Sequence, residues 1–215
     1  MRIEVYSDAV CPWCYVGLAR LQQAHAARPD IVKSVHWLPF ELNPAMAEEG
    51  ADRQQYMREK FGDTNRFAAA QTRLQQLGRE LGLDYQFERV ARMANTRRAH
   101  MLIEHAGETS ALQTQVKCAI MRAYFTEGRD IGKLDVLLDV ARETGLNAEA
   151  ASEALQSAAL RARVVALEAQ AATWGISGVP TFIFDRRYAF SGAQELSVFT
   201  AMIDRISAQA QSSAP

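Results

Sequence analysis

Two cysteines, Cys11 and Cys14, stand three positions apart near the start of the chain, with Pro12 and Trp13 between them. Thiols at this spacing either exchange disulfides or ligate a metal. Exchange needs one thiolate to attack and a second thiol close enough to resolve the mixed disulfide. A structural zinc site typically takes four ligands. The remaining candidates are Cys118 and four scattered histidines, His25, His36, His100 and His105. The redox reading is therefore favoured over a zinc site and over inert structural thiols, and no metal is expected.

The flanking pattern places the pair. Ile3 and Val5 alternate with Arg2 and Glu4, as in a short strand, and residues 11–27 read as a helix with Leu18, Leu21 and Ala24 on one face. Cys11 then falls where strand gives way to helix, and Pro12 suits the first helical position, where an N–H would have no partner. The Cys11 sulfur would lie beside free N–H groups at the positive end of the helix dipole, a setting that favours thiolate. Cys14, one turn on, can resolve. A partly exposed Trp13 indole beside the sulfur would offer a contact surface to an apolar substrate.

Prolines organise the rest: between Pro44 and Pro180 there is none. That stretch is rich in Ala, Gln, Arg, Leu and Glu, which suits helices. Phe67, Ala70, Leu74, Leu77 and Leu81 form one apolar stripe, and Leu160, Val164, Leu167, Ala171 and Trp174 another. Ser110 to Gln113 reads as a capping box, and Gly107, Gly128, Gly145 and Gly175 as C-terminal caps. Five to seven helices are expected between about residues 51 and 174. Val35–Phe40 reads as a second strand, Thr181–Phe184 and Tyr188–Phe190 as a hairpin, and Gln194–Ile206 as a closing helix with Leu196, Phe199, Ile203 and Ile206 inward. The order β-α-β, helical block, β-β-α can close one four-stranded sheet with helices on both faces, an α/β class with thioredoxin-like arrangement. The expected division is a discontinuous thioredoxin-like domain, residues 1–48 and 176–208, an inserted helical domain, 49–175, and a mobile tail, 209–215.

Composition sets outer limits. The chain of 215 residues is 48% hydrophobic and carries 24 basic and 25 acidic residues, a formal net charge of −1. There is no basic excess to neutralise a phosphate backbone, so nucleic acid is not an expected partner. No apolar run reaches the roughly 18 residues of a membrane span, and the N-terminal segment has no apolar secretory region, so a cytoplasmic protein is expected.

Gly178-Val179-Pro180-Thr181-Phe182 marks the start of the third strand, and by itself it reads as an ordinary trans entry proline. Taken with Cys-Pro-Trp-Cys and the helical insertion, it resembles the DsbA-like branch of the thioredoxin superfamily, and more narrowly the FrnE-like subfamily. The resemblance spans essentially the whole chain. It is carried further by Ser7 to Val10, Pro39 to Pro44, Asn95-Thr96 with Ala99-His100, Ala123 to Gly128 with Asp130-Ile131, and Ser191 to Gln194. It implies a cis Val179–Pro180 bond packed across from Cys11, with the Val179 backbone pairing with a bound peptide or thiol. Pro12, Trp13, Val179 and Pro180 are then substrate-binding positions around the catalytic Cys11 and Cys14. Secreted DsbA-like oxidants carry a signal peptide, and some FrnE-like proteins a second cysteine pair. Neither feature is found here, since no cysteine follows Cys118.

The resemblance implies a thiol–disulfide oxidoreductase, acting in the cytosol as reductase or isomerase on protein or small-molecule disulfides, as monomer or homodimer. No bound cofactor is expected, and glutathione is the candidate redox co-substrate. The competing reading is a glutathione-dependent isomerase or transferase of the related 2-hydroxychromene-2-carboxylate isomerase and kappa-class branch, where a serine usually stands at the position of Cys11. A redox sensor without enzymatic activity is a third class. Cys118 reads as a small buried hydrophobe, Asn95 as a cap of the following helix, and His100 as a residue on that helix.

Overall fold

A computed structural model describes residues 1–62, 64–109 and 111–212, without the side chains of 64–67, 109, 211 and 212. In chain order the thioredoxin half begins with β1 (Arg2–Ser7), α1 (Pro12–Ala26) and β2 (Ser34–Pro39). The insertion holds β3 (Ala51–Asp52), α2 (Arg53–Phe61), α3 (Thr64–Glu80), β4 (Arg92–Met93), α4 (Arg97–Thr109), α5 (Gln113–Phe125), α6 (Leu134–Glu143), α7 (Ala148–Gln156) and α8 (Ala158–Thr173). The chain then returns through β5 (Thr181–Phe184), β6 (Tyr188–Ser191) and α9 (Leu196–Ser212).

The sheet order is β2-β1-β5-β6, with β1 parallel to β2 and antiparallel to β5. Only α1 links β1 to β2, the crossover a parallel pair requires. Both faces are covered. On one, Ile3, Val5, Phe182 and Phe184 pack with α1 and α9, and the Phe182 ring meets Phe199 edge-on at 4.8 Å. On the other, Tyr6 and Ile183 pack with Ala171 of α8. Each such apolar side chain contributes roughly 1.5–3 kcal/mol on burial. Glu4 lies on this covered second face and is only 2% exposed, so the polar half of the β1 alternation is not a solvent face. Arg2 at 2.8 Å and Arg186 at 2.9 Å neutralise it.

Seven α-helices of the insertion are found among the described residues, three of which (α4, α5 and α8) pack against β2. Leu74 is buried and Leu77 and Leu81 are half-buried, as the first stripe predicts, but Ala70 is exposed; the Phe67 side chain lies outside the described residues. In the second stripe Leu160, Val164 and Ala171 are buried, while Trp174, past the helix end, is exposed and meets Tyr6 edge-on at 6.2 Å.

Several local expectations are overturned by tertiary partners. Gln113 does not close a capping box: its amide accepts the Trp37 N–H at 3.0 Å and donates to the Trp37 carbonyl at 3.1 Å, completing the β2 edge. The N-cap of α5 is Leu112, with no side-chain cap, and Ser110 lies outside the described residues. Gly107 sits inside α4 rather than at its end, where a Cβ would come within 2.5 Å of that same Gln113 amide. Leu196, first residue of α9, is exposed, and α9 runs beyond Ile206 through Ser212. Of the 209–215 segment, residues 209–212 continue α9 and Gln209 accepts a hydrogen bond from the Tyr188 hydroxyl at 2.7 Å, while 213–215 lie outside the described residues.

Candidate active site

Cys11 is the N-cap residue of α1, with φ −89° and ψ 111°, and Pro12 opens the helix. The extended Cys11 backbone turns its own side chain onto the first turn, so Sγ accepts the Cys14 N–H at 3.4 Å. A helix-start N–H aimed at sulfur is the donor that stabilises a thiolate. Cys14 is fully buried, Cys11 is 4% exposed, and Trp13 between them is 38% exposed. The two thiols therefore differ in access, with Cys11 at the surface edge and Cys14 beneath it.

Across from them, the Val179–Pro180 peptide bond is cis. The Val179 carbonyl oxygen lies 3.9 Å from Cys11 Sγ. The loop is seated by Gly17 of α1, where a Cβ would come within 2.9 Å of Phe182 and 3.1 Å of Pro180. The sequence-predicted site residues Cys11, Pro12, Trp13, Cys14, Val179 and Pro180 are thus brought to one place.

Three polar residues that sequence reasoning did not assign to the site complete it from below. Asp8, in the loop after β1, is 1% exposed, and its Oδ2 accepts the Leu42 N–H at 2.8 Å. His100 of α4 faces its Oδ1 at 3.3 Å, too poorly aligned for a hydrogen bond. Burial alone would raise the Asp8 carboxyl, but His100, the Leu42 N–H and Lys117 outweigh it and hold the group below its usual range. Lys117 of α5 is 1% exposed, and burial pushes its ammonium down while Cys14 and Asp8 pull it up. Burial pushes the Cys14 thiol well up, reinforced by Cys11 and opposed by Lys117. One signal could have exposed Lys117: it shares helical spacing with Ile120 and Tyr124, both buried.

The insertion also holds the redox helix directly. Tyr85 donates its hydroxyl to the Pro12 carbonyl at 2.6 Å, and its ring stacks on Phe87 at 5.0 Å. Asn95 does cap α4, accepting the Arg97 N–H at 3.0 Å, and it also donates to the Met46 carbonyl at 2.7 Å. Arg97 in turn makes a bidentate pair with Glu41, fixing the loop after β2. Cys118 is half-buried against Gln22, and burial pushes its thiol up to about 11. Among the described residues no group of three or more His, Cys, Asp or Glu could hold a metal ion, and no helix is long and apolar enough to cross a membrane.

A cysteine pair at the start of α1 facing a cis-proline loop, on this sheet, defines a thioredoxin-fold redox protein as the structural class. The chain belongs to the DSBA-like thioredoxin domain family, whose model matches residues 2–204. It is similar to a probable DsbA oxidoreductase from Streptomyces coelicolor, with 33% identity, a TM-score of 0.86, and coverage of 100% of this chain and 92% of that one. The uncharacterized protein YwbO of Bacillus subtilis is 29% identical over 184 residues, 85% of this chain and 86% of that one. The cytosolic disulfide reductase DsbM of Pseudomonas aeruginosa, solved with glutathione, shares the fold at a TM-score of 0.70 and 22% identity, covering 95% of this chain and 98% of that one.

Proposed function

We propose that this chain is a thiol–disulfide oxidoreductase whose dithiol is Cys11 and Cys14, with Cys11 attacking and Cys14 resolving. The observation that carries the assignment is the Cys14 N–H donated to Cys11 Sγ at the helix start, with Cys14 itself buried beneath. The Cys11 thiolate attacks a substrate disulfide, one sulfur leaves as thiolate, and a mixed disulfide forms. Cys14, deprotonated, then attacks Cys11 Sγ, expelling the second substrate thiolate and leaving the Cys11–Cys14 disulfide. The Val179 carbonyl at 3.9 Å and Pro180 line the approach, and Trp13 and Pro12 present an apolar edge to the substrate.

The direction of flow is proposed to be reductive, in a glutathione-buffered compartment such as the cytosol, with glutathione regenerating the dithiol. The glutathione-bound DsbM, a cytosolic reductase on the same fold, supports this reading. The test is single-turnover reduction of insulin and of glutathione disulfide. Cys11→Ser is expected to abolish both, and Cys14→Ser to accumulate a mixed disulfide on Cys11 detectable by intact mass. Trapping by Cys11→Ser with an active Cys14→Ser would reverse the roles.

A further inference from the structure

Between the two cysteines, the Pro12 carbonyl is bonded from outside its own helix. Tyr85 donates its hydroxyl to it at 2.6 Å, a contact between residues 73 apart in the chain. The carbonyl of a first helical residue already accepts the N–H four positions on, and its second lone pair is open to a further donor. Burial above all, then Tyr15, Cys11 and Cys14, pushes the phenol up, so Tyr85 keeps the proton that it donates.

The insertion builds a seat for that hydroxyl. Tyr85 is buried, and its ring lies edge-on to Tyr15 of α1 at 5.8 Å and to Phe125 of α5 at 5.4 Å. α3 passes directly beside it: a Cβ at Gly78 would come within 2.6 Å of the Tyr85 ring. A glycine inside a helix costs about 1 kcal/mol relative to alanine, and here the close approach offsets that cost. The backbone around Tyr85 is fixed from two helices. Gln75 of α3 donates to the Tyr85 carbonyl at 3.1 Å, the Gln86 N–H bonds to the Phe125 carbonyl at 2.8 Å, and the Thr126 hydroxyl donates to the Asp84 carbonyl at 2.6 Å. A loop held in this way aims a single hydroxyl at the redox turn.

The Pro12 C=O and the Trp13 N–H belong to one planar peptide group. Trp13 is the second residue of α1, so its N–H is one of the helix-start donors on the Cys11 side. A hydrogen bond accepted at one end of a peptide group strengthens the donor at the other. That gain counts most when Cys11 is a thiolate, because a bond to a charged acceptor is about twice as strong as one between neutral groups. In a Cys11–Cys14 disulfide the sulfur is neutral and the gain is small. We infer that Tyr85 is a positioning residue of the exchange reaction, its hydroxyl polarising the Pro12–Trp13 peptide so that the insertion favours the dithiol over the disulfide. This role rests on the exchange reading above and places a determinant of redox poise outside the Cys-Pro-Trp-Cys sequence.

The experiment equilibrates the full-length protein with glutathione buffers of graded ratio, quenches with an alkylating agent and counts the two forms by intact mass. The step scored is dithiol plus glutathione disulfide giving protein disulfide plus two glutathione thiols. Cys11 and Cys14 lose the two electrons that glutathione disulfide gains. Tyr85→Phe keeps the ring in its seat and deletes only the donor. It is expected to raise the constant for disulfide formation by about twofold to fivefold, inside the roughly tenfold that the whole net contribution of one hydrogen bond could supply. Thr126→Val cuts a different anchor of the same loop and is expected to lower stability in urea melts with the constant unmoved. A Tyr85→Phe constant equal to or below that of wild type overturns the inference and leaves the exchange reading standing. An equal rise in Thr126→Val overturns it as well, since loop packing and not the hydroxyl would then be the cause. Failure of the wild type to form a Cys11–Cys14 disulfide at any glutathione ratio overturns the exchange reading itself, and the role of Tyr85 with it.

Discussion

His100 Nε2 lies 3.3 Å from Asp8 Oδ1, joining α4 of the insertion to the loop that leads into Cys11, with both side chains buried. Asp8 is held below its usual range despite burial, through His100, the Leu42 N–H and Lys117. Removing one of the groups around a buried carboxylate leaves it less well compensated, at a cost of about 1–3 kcal/mol. His100→Ala is therefore expected to lose stability of that order in urea melts at neutral pH.

The same carboxylate sets an acid limb. A depressed folded pKa stabilises the protein above the unfolded value of about 3.9, and that contribution disappears as pH falls through the lower folded value. The margin between wild type and Asp8→Asn should accordingly be constant from about pH 5 to 7 and shrink below about pH 4. Urea melts across that range check it, and a margin that stays flat down to pH 2 would be inconsistent with an ionised Asp8.

Cys14 has the opposite sign. Its thiol is pushed well above the ordinary value by burial and by Cys11, so the folded chain keeps a proton that the unfolded chain loses above about pH 8.5. The folded state then binds more protons, and the stability of the reduced protein falls as pH rises past that point. Reduced Cys14→Ser lacks the titrating group and should not share this part of the fall. Lys117 opposes the shift, so Lys117→Met is expected to prolong the mixed disulfide at neutral pH by roughly severalfold, the smaller thiolate fraction being partly offset by the greater nucleophilicity of a more basic sulfur. Rapid-quench mass spectrometry of the intermediate measures it.

Gly17→Ala tests the seat of the proline loop. The added Cβ would come within 2.9 Å of Phe182 and 3.1 Å of Pro180. Overpacking of this kind costs about 1–3 kcal/mol, against about 1 kcal/mol gained in helix propensity. A net loss of roughly 1 kcal/mol in denaturant melts is expected, with slower exchange because one of the two crowded side chains is Pro180. Unchanged stability and rate would mean that the loop yields freely.

The glutathione-isomerase alternative makes a separate prediction. It requires saturable glutathione binding that persists in Cys11→Ser, with turnover of a glutathione-conjugating substrate that ignores Cys14. The dithiol reading requires loss of disulfide turnover in both single variants. Calorimetric titration with glutathione and parallel assays of the two variants separate them.

What the sequence by itself determined is local. A strand of period two ending at Ser7, a proline at the first helical position and a cysteine on either side of Pro12-Trp13 place one sulfur at a helix start. These features follow from backbone sterics and hydrogen bonding over a few residues, which sequence spacing encodes directly. The element order, and through it the sheet, is legible for the same reason. Only the tertiary structure decided what lies around the sulfurs. Asp8, His100 and Lys117 come from β1's exit loop, α4 and α5, and no periodicity relates them. Two-residue strands such as β3 and β4 carry no pattern at all. Gln113 shows how the two levels compete: its local chemistry favours a helix cap, but a buried strand edge with an open N–H and C=O costs more to leave unpaired.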